Sequence, residues 1–342
     1  MKILITWIDG YIGIKLSELL TTKWNDVSGI DTWFYRDGWL YNDIGFIPRI
    51  INKDTRNIVI EDLIWYDAII HLADLSNDPL GEMSSINTYA INYEASLSLA
   101  KLAKLAWVKR FIYSSSCSVY GIANSDLVDE ESPTNPQTHY AKCKLLVEEG
   151  IKKICDSSFC ATFLRNATVF WASPRMRFDL VVNNLTAMAF LTKKIVLSSD
   201  GSPWRPIVHI NDLCNAFSAV LESPIDVVVW QVINVWSNSS NYKIIEIANT
   251  LRGKIPDCLI ETSQPNWDNR SYKVSFTKIS QILPNFTPMY DLNQGIDELL
   301  EIFERIKLDD IIFKQKPFTR IEKIKYLLDS KQINNNFYFS KV

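Results

Sequence analysis

Along the first half of the chain, short apolar runs rich in β-branched residues alternate with longer segments whose apolar residues recur at three and four. "KILIT", "DVSGID", "DAIIHLA" and "RFIYSSS" read as strands; "IGIKLSELLTT", "TYAINYEASLSLAKLAKLA" and "YAKCKLLVEEGIKKIC" read as helices with one apolar face. Such a βαβ series predicts a parallel sheet covered on both faces, with a ligand at the carboxyl ends of its strands. "ATFLRNATVF" and "VVVWQVINVW" are expected to extend that sheet. Beyond about residue 171 the regularity weakens. "SPRMRFDLVVNNLTAMAF", "LRGKIPDCLIETSQPNWDNR" and "LNQGIDELLEIFERI" read as pieces of a smaller lobe. No linker, repeat or low-complexity tract divides the two. The expected organisation is a first domain over 1–170, rejoined by 204–238, and a second lobe from 171–203 and 239–342. The tail from Leu308 is charged and amphipathic, and predicts a capping helix with a loose end.

Composition narrows the field of partners. A chain of 342 residues with 47% apolar content can bury a large core, and a net charge of -3 with both signs interspersed points away from nucleic acid and acidic membrane surfaces. The start, "MKILIT", lacks the basic flank of a signal peptide, and no apolar run of about 18 residues is present, so a cytoplasmic protein without a membrane partner is expected. Six cysteines at irregular spacing form no C-x-x-C pair, and the three histidines are far apart, so no metal centre and no disulfide framework is expected.

The candidate chemistry begins at "TWIDGYIG", residues 6–13, directly after the first strand. Gly10 and Gly13 have the spacing of a strand-to-helix loop that lays a dinucleotide pyrophosphate on a helix N-terminus. Asp31 closes the second strand about twenty residues later, where a carboxylate accepts hydrogen bonds from the adenosine ribose and repels a 2′-phosphate; Arg36 is too distant to argue otherwise, so NAD is favoured. In mid-chain "YSSSCSVYG" ends a strand, and "YAKCK" then sets Tyr140 and Lys144 one helical turn apart. The Lys144 ammonium is expected to lower the pKa of the Tyr140 phenol, assisted by the positive nicotinamide ring. Tyr140 would then act as base when a sugar hydroxyl is oxidised and as acid when the ketone is reduced, with Ser116 bonding the same oxygen.

These motifs together resemble the extended short-chain dehydrogenase/reductases of the NAD-dependent nucleotide-sugar epimerase/dehydratase type, over nearly the whole chain. The resemblance implies an α/β fold, a Rossmann-type doubly wound parallel sheet with a smaller C-terminal substrate-binding lobe. It implies a catalytic set of Ser116, Tyr140 and Lys144. For the cofactor it implies the loop residues Trp7, Gly10, Tyr11, Ile12 and Gly13, with Asp31, Asp54 and Thr55 on the adenosine side. "HLADLS" adds Leu72 and Ala73, the next helix adds Asn92, and Ser114 joins Tyr140 and Lys144. For a nucleotide-diphosphate sugar it implies Asn184, Leu185, Arg205 and Arg270. A homodimer through "TYAINYEASLSLAKLA" and "YAKCKLLVEEG" is also implied.

Departures from the family pattern shape the expected reaction. Thr168 stands in place of the usual asparagine of Arg-x-x-Asn-Val-Tyr-Gly. Dehydratases of the family usually carry Asp-Glu after the catalytic hydroxyl residue, where this chain has Cys117 and Ser118. A 3,5-epimerase would want cysteine at the place of Ser118, one residue from Cys117. Reversible oxidation with return of hydride to the other face, at C4, is therefore expected over elimination. The alternatives are a dehydratase or reductase of the same family, and a non-catalytic dinucleotide-binding regulator.

One compositional feature remains. Glycine, at 11 residues, is about 3% of the chain against a usual ~7%, while tryptophan also numbers 11. Trp7, Trp24, Trp65, Trp107, Trp171 and Trp236 stand where the family has glycine, with Trp33 and Trp230 similar, whereas Trp39 and Trp204 sit in natural contexts. Glycine codons read as tryptophan, by translating UGA as tryptophan, are the expected origin.

Overall fold

Buried on both faces after Lys2, β1 (Lys2–Thr6) is the kind of continuous apolar run that only an interior parallel strand tolerates. The computed structural model describes residues 1–42, 45–122, 126–263 and 271–340. The strands that follow are β2 (Asp26–Asp31), β3 (Arg49–Asn52), β4 (Ala68–His71), β5 (Arg110–Ser116), β6 (Cys160–Asn166), β7 (Thr168–Phe170), β8 (Lys194–Val196), β9 (Trp204–His209), β10 (Val232–Val235), β11 (Asn241–Lys243) and β12 (Leu259–Glu261). Seven of them form one parallel sheet in the order β10-β6-β5-β4-β1-β2-β3. The order reverses between β1 and β4, and a doubly wound sheet opens its ligand crevice at that point. Helices Tyr11–Thr22, Ala95–Leu105 and His139–Lys152 follow β1, β4 and β5 and cover the sheet. Fold and strand pattern agree with the α/β, Rossmann-type expectation.

Several local expectations are refined. "ATFLRNATVF" is not one strand: it divides at Ala167, β6 staying in the large sheet and β7 pairing with β9 in a three-stranded sheet with β11. In "VVVWQVINVW" only Val232–Val235 is strand, because Ile225–Val228 forms a helical turn first. The "TYAINYEASLSLAKLAKLA" segment carries a π-helical turn at Tyr89–Glu94. β3, four residues at the sheet edge, has too little periodicity to be read from its sequence.

The tail departs most. Helix Arg320–Asp329 brings Ile324 and Leu327 against Phe34, Tyr35, Leu80 and Ile91, on the β2 side of the crevice. Its described part, to residue 340, is not loose. Ile333 and Phe337 are buried, and the Arg56 guanidinium donates to the Asn336 carbonyl at 2.7 Å while lying 3.6 Å from the Tyr338 ring. Burial of two apolar side chains and a guanidinium clamp outweigh the charge that suggested solvation.

Candidate active site

The crevice is built around Thr6, the last residue of β1. Its Oγ1 accepts from the backbone N–H groups of Leu72 and Ala73, both at 3.1 Å, and lies 2.7 Å from His71 Nδ1. This ties the ends of β1 and β4 together where the sheet order splits. Buried beside them, His71 has its pKa lowered to about 3 by desolvation and then by the Lys144 charge, so the ring is a neutral strut and bonds Ser96 at 2.7 Å.

The chain leaves β1 through Trp7 at φ 58 and enters helix Tyr11–Thr22 at Gly10, which has no side-chain cap. A Cβ at Gly13 would lie 2.3 Å from the Trp7 carbonyl oxygen, so only glycine lets this helix approach the strand end. The helix presents uncapped N–H groups toward the crevice, as a pyrophosphate site needs. Asp31 lies at the end of β2, accepting from the N–H of Asp9 at 3.0 Å and of Trp33 at 2.7 Å; burial pushes its carboxyl up to about 7. A small cavity of about 30 Å³ here is lined by Asp31, Asp54, Thr55, Ala73 and Ile91. Asp54 also holds Arg56, at 2.7 Å.

On the other side of the loop, a cleft with about 1170 Å³ of open space brings together Ser114, Ser116, Tyr140, Lys144, Leu72 and Arg205. Tyr11, Ile12, Gly10 and Gly13 form part of its wall. Helix His139–Lys152 starts on the Thr138 side chain, which accepts from Ala141 N–H at 3.2 Å and donates to Asp78 at 2.5 Å. One turn in, buried Lys144 donates to the Ser114 carbonyl and to Asp74, with its Nζ 5.5 Å from the Tyr140 ring centre.

The electrostatics correct one expectation. Desolvation raises the Tyr140 pKa well above that of a free phenol, and the charges of Asp74 and Asp78 raise it further; the Ser116 hydrogen bond and Arg177 oppose this. The Lys144 ammonium does not bring the phenol down to its ordinary value, and it is itself paired with the Asp74 carboxylate. The Asp74 carboxyl is itself pushed up to about 6, mainly by burial, and its Oδ1 is buried without a partner. Asp74 and Trp7 each line both cavities.

Not every expected residue reaches the crevice. Asn92 instead pins the loop after β4, accepting from Leu75 N–H at 2.7 Å, and lines neither cavity. Asn184 donates to the Phe178 carbonyl at 2.9 Å and Leu185 is buried in the core. Arg270 lies outside the described residues. Thr168 and Ser118 line the cleft, whereas Cys117 is buried against the Arg165 carbonyl at 3.2 Å, its thiol pKa raised by desolvation.

Three arginines were not legible as site residues. Arg177 lines the cleft, pairs with Asp179 at 2.9 Å and donates to the Ser76 carbonyl at 3.0 Å. Arg175 grips Asp9 of the phosphate loop through two nitrogens, at 2.8 and 2.5 Å, with its guanidinium 3.8 Å from the Trp39 ring. Arg320 reaches the cleft from the tail helix, over the Tyr35 ring at 4.1 Å. Their clustering depends on the second lobe and the tail folding back, which "SPRMRFDL" and "FTRIEK" do not announce.

The glycines, Asp31, the free Asp74 oxygen and the lysine–tyrosine pair fit a dinucleotide laid across the loop. Trp7 does not. Its indole lies back over Gly10, with Cδ1 only 2.8 Å from where a Cβ on that glycine would be, and Trp7 lines both cavities. Among the described residues no cluster of His, Cys, Asp and Glu could hold a metal ion, and no helix is long and apolar enough to cross a membrane.

Comparison with known proteins agrees with this fold. An uncharacterized UDP-glucose epimerase, YtcB, of Bacillus subtilis (strain 168) is 26% identical over 268 residues, covering 74% of this chain and 83% of that protein. UDP-glucuronic acid decarboxylase 1 of Danio rerio is 23% identical over 326 residues, 89% of this chain and 73% of the other. The solved structure of UDP-glucuronic acid 4-epimerase from Bacillus cereus, in complex with UDP-glucuronic acid and NAD, superposes with a TM-score of 0.76 at 23% identity over 90% of this chain and 100% of that one. Residues 3–235 match the family described as the NAD dependent epimerase/dehydratase family, and the chain belongs to it.

Proposed function

We propose that this chain is an NAD-dependent nucleotide-sugar epimerase that inverts C4 of its substrate through a transient 4-keto sugar. The observation that carries the reading is the convergence of Ser116, Tyr140 and Lys144 on one cleft at the carboxyl ends of the strands. NAD, when bound, supplies the acceptor and donor of hydride. Tyr140 holds the proton that the C4 oxygen loses and regains, and Ser116 orients that oxygen. Lys144, braced by Asp74 and the Ser114 carbonyl, fixes the geometry of the pair. Arg205 and Arg177, which line the cleft, suit a diphosphate because a guanidinium fork meets phosphate oxygens in pairs.

Elimination is disfavoured by the residues after Ser116. Cys117 is buried with its sulfur bonded to a carbonyl, and Ser118 has no carboxyl group to act as acid and base. Relatives bearing both epimerase and decarboxylase names make UDP-glucuronic acid a necessary substrate in any test. Incubating the protein with UDP-, GDP-, dTDP- and CDP-sugars and with UDP-glucuronic acid, and resolving the products, decides among the readings. Interconversion of C4 epimers that Tyr140→Phe abolishes supports the proposal. Carbon dioxide release would move the assignment to a decarboxylase, loss of water to a dehydratase, and NAD binding without turnover to a regulator. A cytoplasmic homodimer through helices Ala95–Leu105 and His139–Lys152 is part of the same proposal.

A further inference from the structure

Among the described residues, thirteen other than glycine have positive φ, and seven of these are tryptophan: Trp7, Trp24, Trp33, Trp107, Trp171, Trp230 and Trp236. Only two glycines, Gly121 and Gly201, share that property. Left-handed backbone is glycine's province because a Cβ crowds the neighbouring carbonyl, and a large aromatic side chain gains nothing there. A protein with few glycines has thus placed its bulkiest residue where its smallest belongs.

The local geometry repeats the substitution pattern. Trp24 follows helix Tyr11–Thr22 and Trp107 follows helix Ala95–Leu105. Each closes its helix in the same way. Trp24 N–H bonds the Thr21 carbonyl at 2.9 Å and Asn25 N–H the Leu20 carbonyl at 3.2 Å. Trp107 N–H bonds Lys104 at 3.1 Å and Val108 N–H bonds Ala103 at 3.0 Å. These paired bonds define the helix stop whose left-handed residue is usually glycine. The indoles are 95% and 78% exposed, so no packing compensates the backbone. At Trp171, φ 99, the backbone carries the role: its N–H donates to Asn183 at 2.9 Å and its carbonyl accepts from the Tyr11 hydroxyl at 2.5 Å.

Other tryptophans behave as tryptophan. Trp39 has ordinary φ and stacks under Arg175, and Trp204 lies in β9 with Lys273 Nζ 4.5 Å from its ring. Trp65 also has ordinary φ, so the backbone does not place it with the seven.

We infer that the seven positive-φ tryptophans occupy positions where the protein made by its own cells carries glycine, one codon being decoded there as glycine and UGG alone as tryptophan. We infer further that glycine at position 7 joins the two cavities into a single groove for a dinucleotide. The second half rests on the functional reading above; the first does not.

The gene and the native protein test the first half. UGA at codons 7, 24, 33, 107, 171, 230 and 236, UGG at codons 39 and 204, and glycine in the corresponding peptides by mass spectrometry are expected. UGG at codon 7, 24 or 107, or a tryptophan-containing peptide from the native protein at those positions, overturns it. Calorimetric titration with NAD tests the second half. Trp7→Gly is expected to bind NAD tighter than the chain as written by about 100-fold or more. Equal affinity of the two chains overturns the obstruction by the indole. Glycine in the native peptides together with no NAD binding by Trp7→Gly would leave the recoding standing and remove the cofactor reading.

Discussion

Stability at the two helix stops offers a test of the backbone argument that needs no ligand. Trp24 and Trp107 are at φ 63 and 60 with their side chains largely in solvent, so replacing either by glycine removes strain and little packing. Relief of the left-handed conformation is worth about 1–2 kcal/mol. The extra freedom of glycine in the unfolded chain subtracts about 0.4–1 kcal/mol. A net gain of about 0.8 kcal/mol per site, within a span of about 0–1.6, follows from these two terms. The sites end different helices, so Trp24→Gly/Trp107→Gly should gain the sum of the two, about 1–2 kcal/mol. Urea unfolding followed by far-ultraviolet circular dichroism reads this as a raised midpoint at unchanged slope. Trp65→Gly is the control. Its indole is 72% exposed but its φ is ordinary, so glycine there should lower the midpoint. Trp24→Ala, which keeps a Cβ at positive φ, should not reproduce the gain. Midpoints that fall alike for Trp24→Gly, Trp107→Gly and Trp65→Gly would refute the strain argument.

Other consequences are equally direct. Tyr140→Phe should reduce turnover by about 100-fold or more at unchanged NAD affinity, checked by steady-state rates and titration; a small effect removes Tyr140 from proton transfer. Asp74→Asn deletes a charge that raises the Tyr140 pKa, so the alkaline rise in rate should move to lower pH, and an unmoved profile rejects the coupling. Asp31 is raised to about 7 and ribose bonds need its carboxylate, so NAD affinity of Trp7→Gly should tighten by at most about tenfold per pH unit as pH rises toward 7 and level above it. Adding Asp31→Asn should flatten that dependence. The sign for folding is opposite: a raised carboxyl favours the protonated native state, so Asp31 contributes stability that declines as pH climbs from the ordinary aspartate range through 7. Arg175→Ala leaves Asp9 buried and unpaired and should destabilise by about 3–5 kcal/mol in urea unfolding, with Arg175→Ala/Asp9→Asn recovering part.

Much of this molecule is visible in its sequence, for physical reasons that also explain what is hidden. Parallel strands buried on both faces leave apolar runs such as "KILIT" and "RFIYSSS", and helices with one wet face leave a three-and-four rhythm, so the strands and covering helices around the crevice were predictable. The pair Tyr140 and Lys144 is local, set by one turn of one helix. Arg175, Arg177 and Arg320 are not local: their neighbours Asp9, Ser76 and Tyr35 come from loops far away in the chain. Asn92 and Asn184 show the converse, being amides that match a motif but satisfy loop and helix backbone instead. A motif locates a side chain on an element, while only the fold decides which way its polar atoms are spent.

The charge balance at the centre of the cleft has a consequence for the order of events. Burial and two aspartates hold Tyr140 protonated, and the lysine that should oppose them is paired with Asp74. Ionisation of the phenol therefore needs positive charge from elsewhere, and an oxidised nicotinamide ring is such a charge. Asp74 lines both cavities and its Oδ1 is buried without a partner, so a hydroxyl donor on a bound dinucleotide would meet an unsatisfied acceptor there. Such a bond would stabilise the carboxylate that holds Lys144 and complete that polar pair, but a fixed Asp74 charge keeps the phenol pKa up, so lowering it falls to the nicotinamide charge alone. Under the proposed function, Tyr140 would then act as base only in the complex that can also accept hydride.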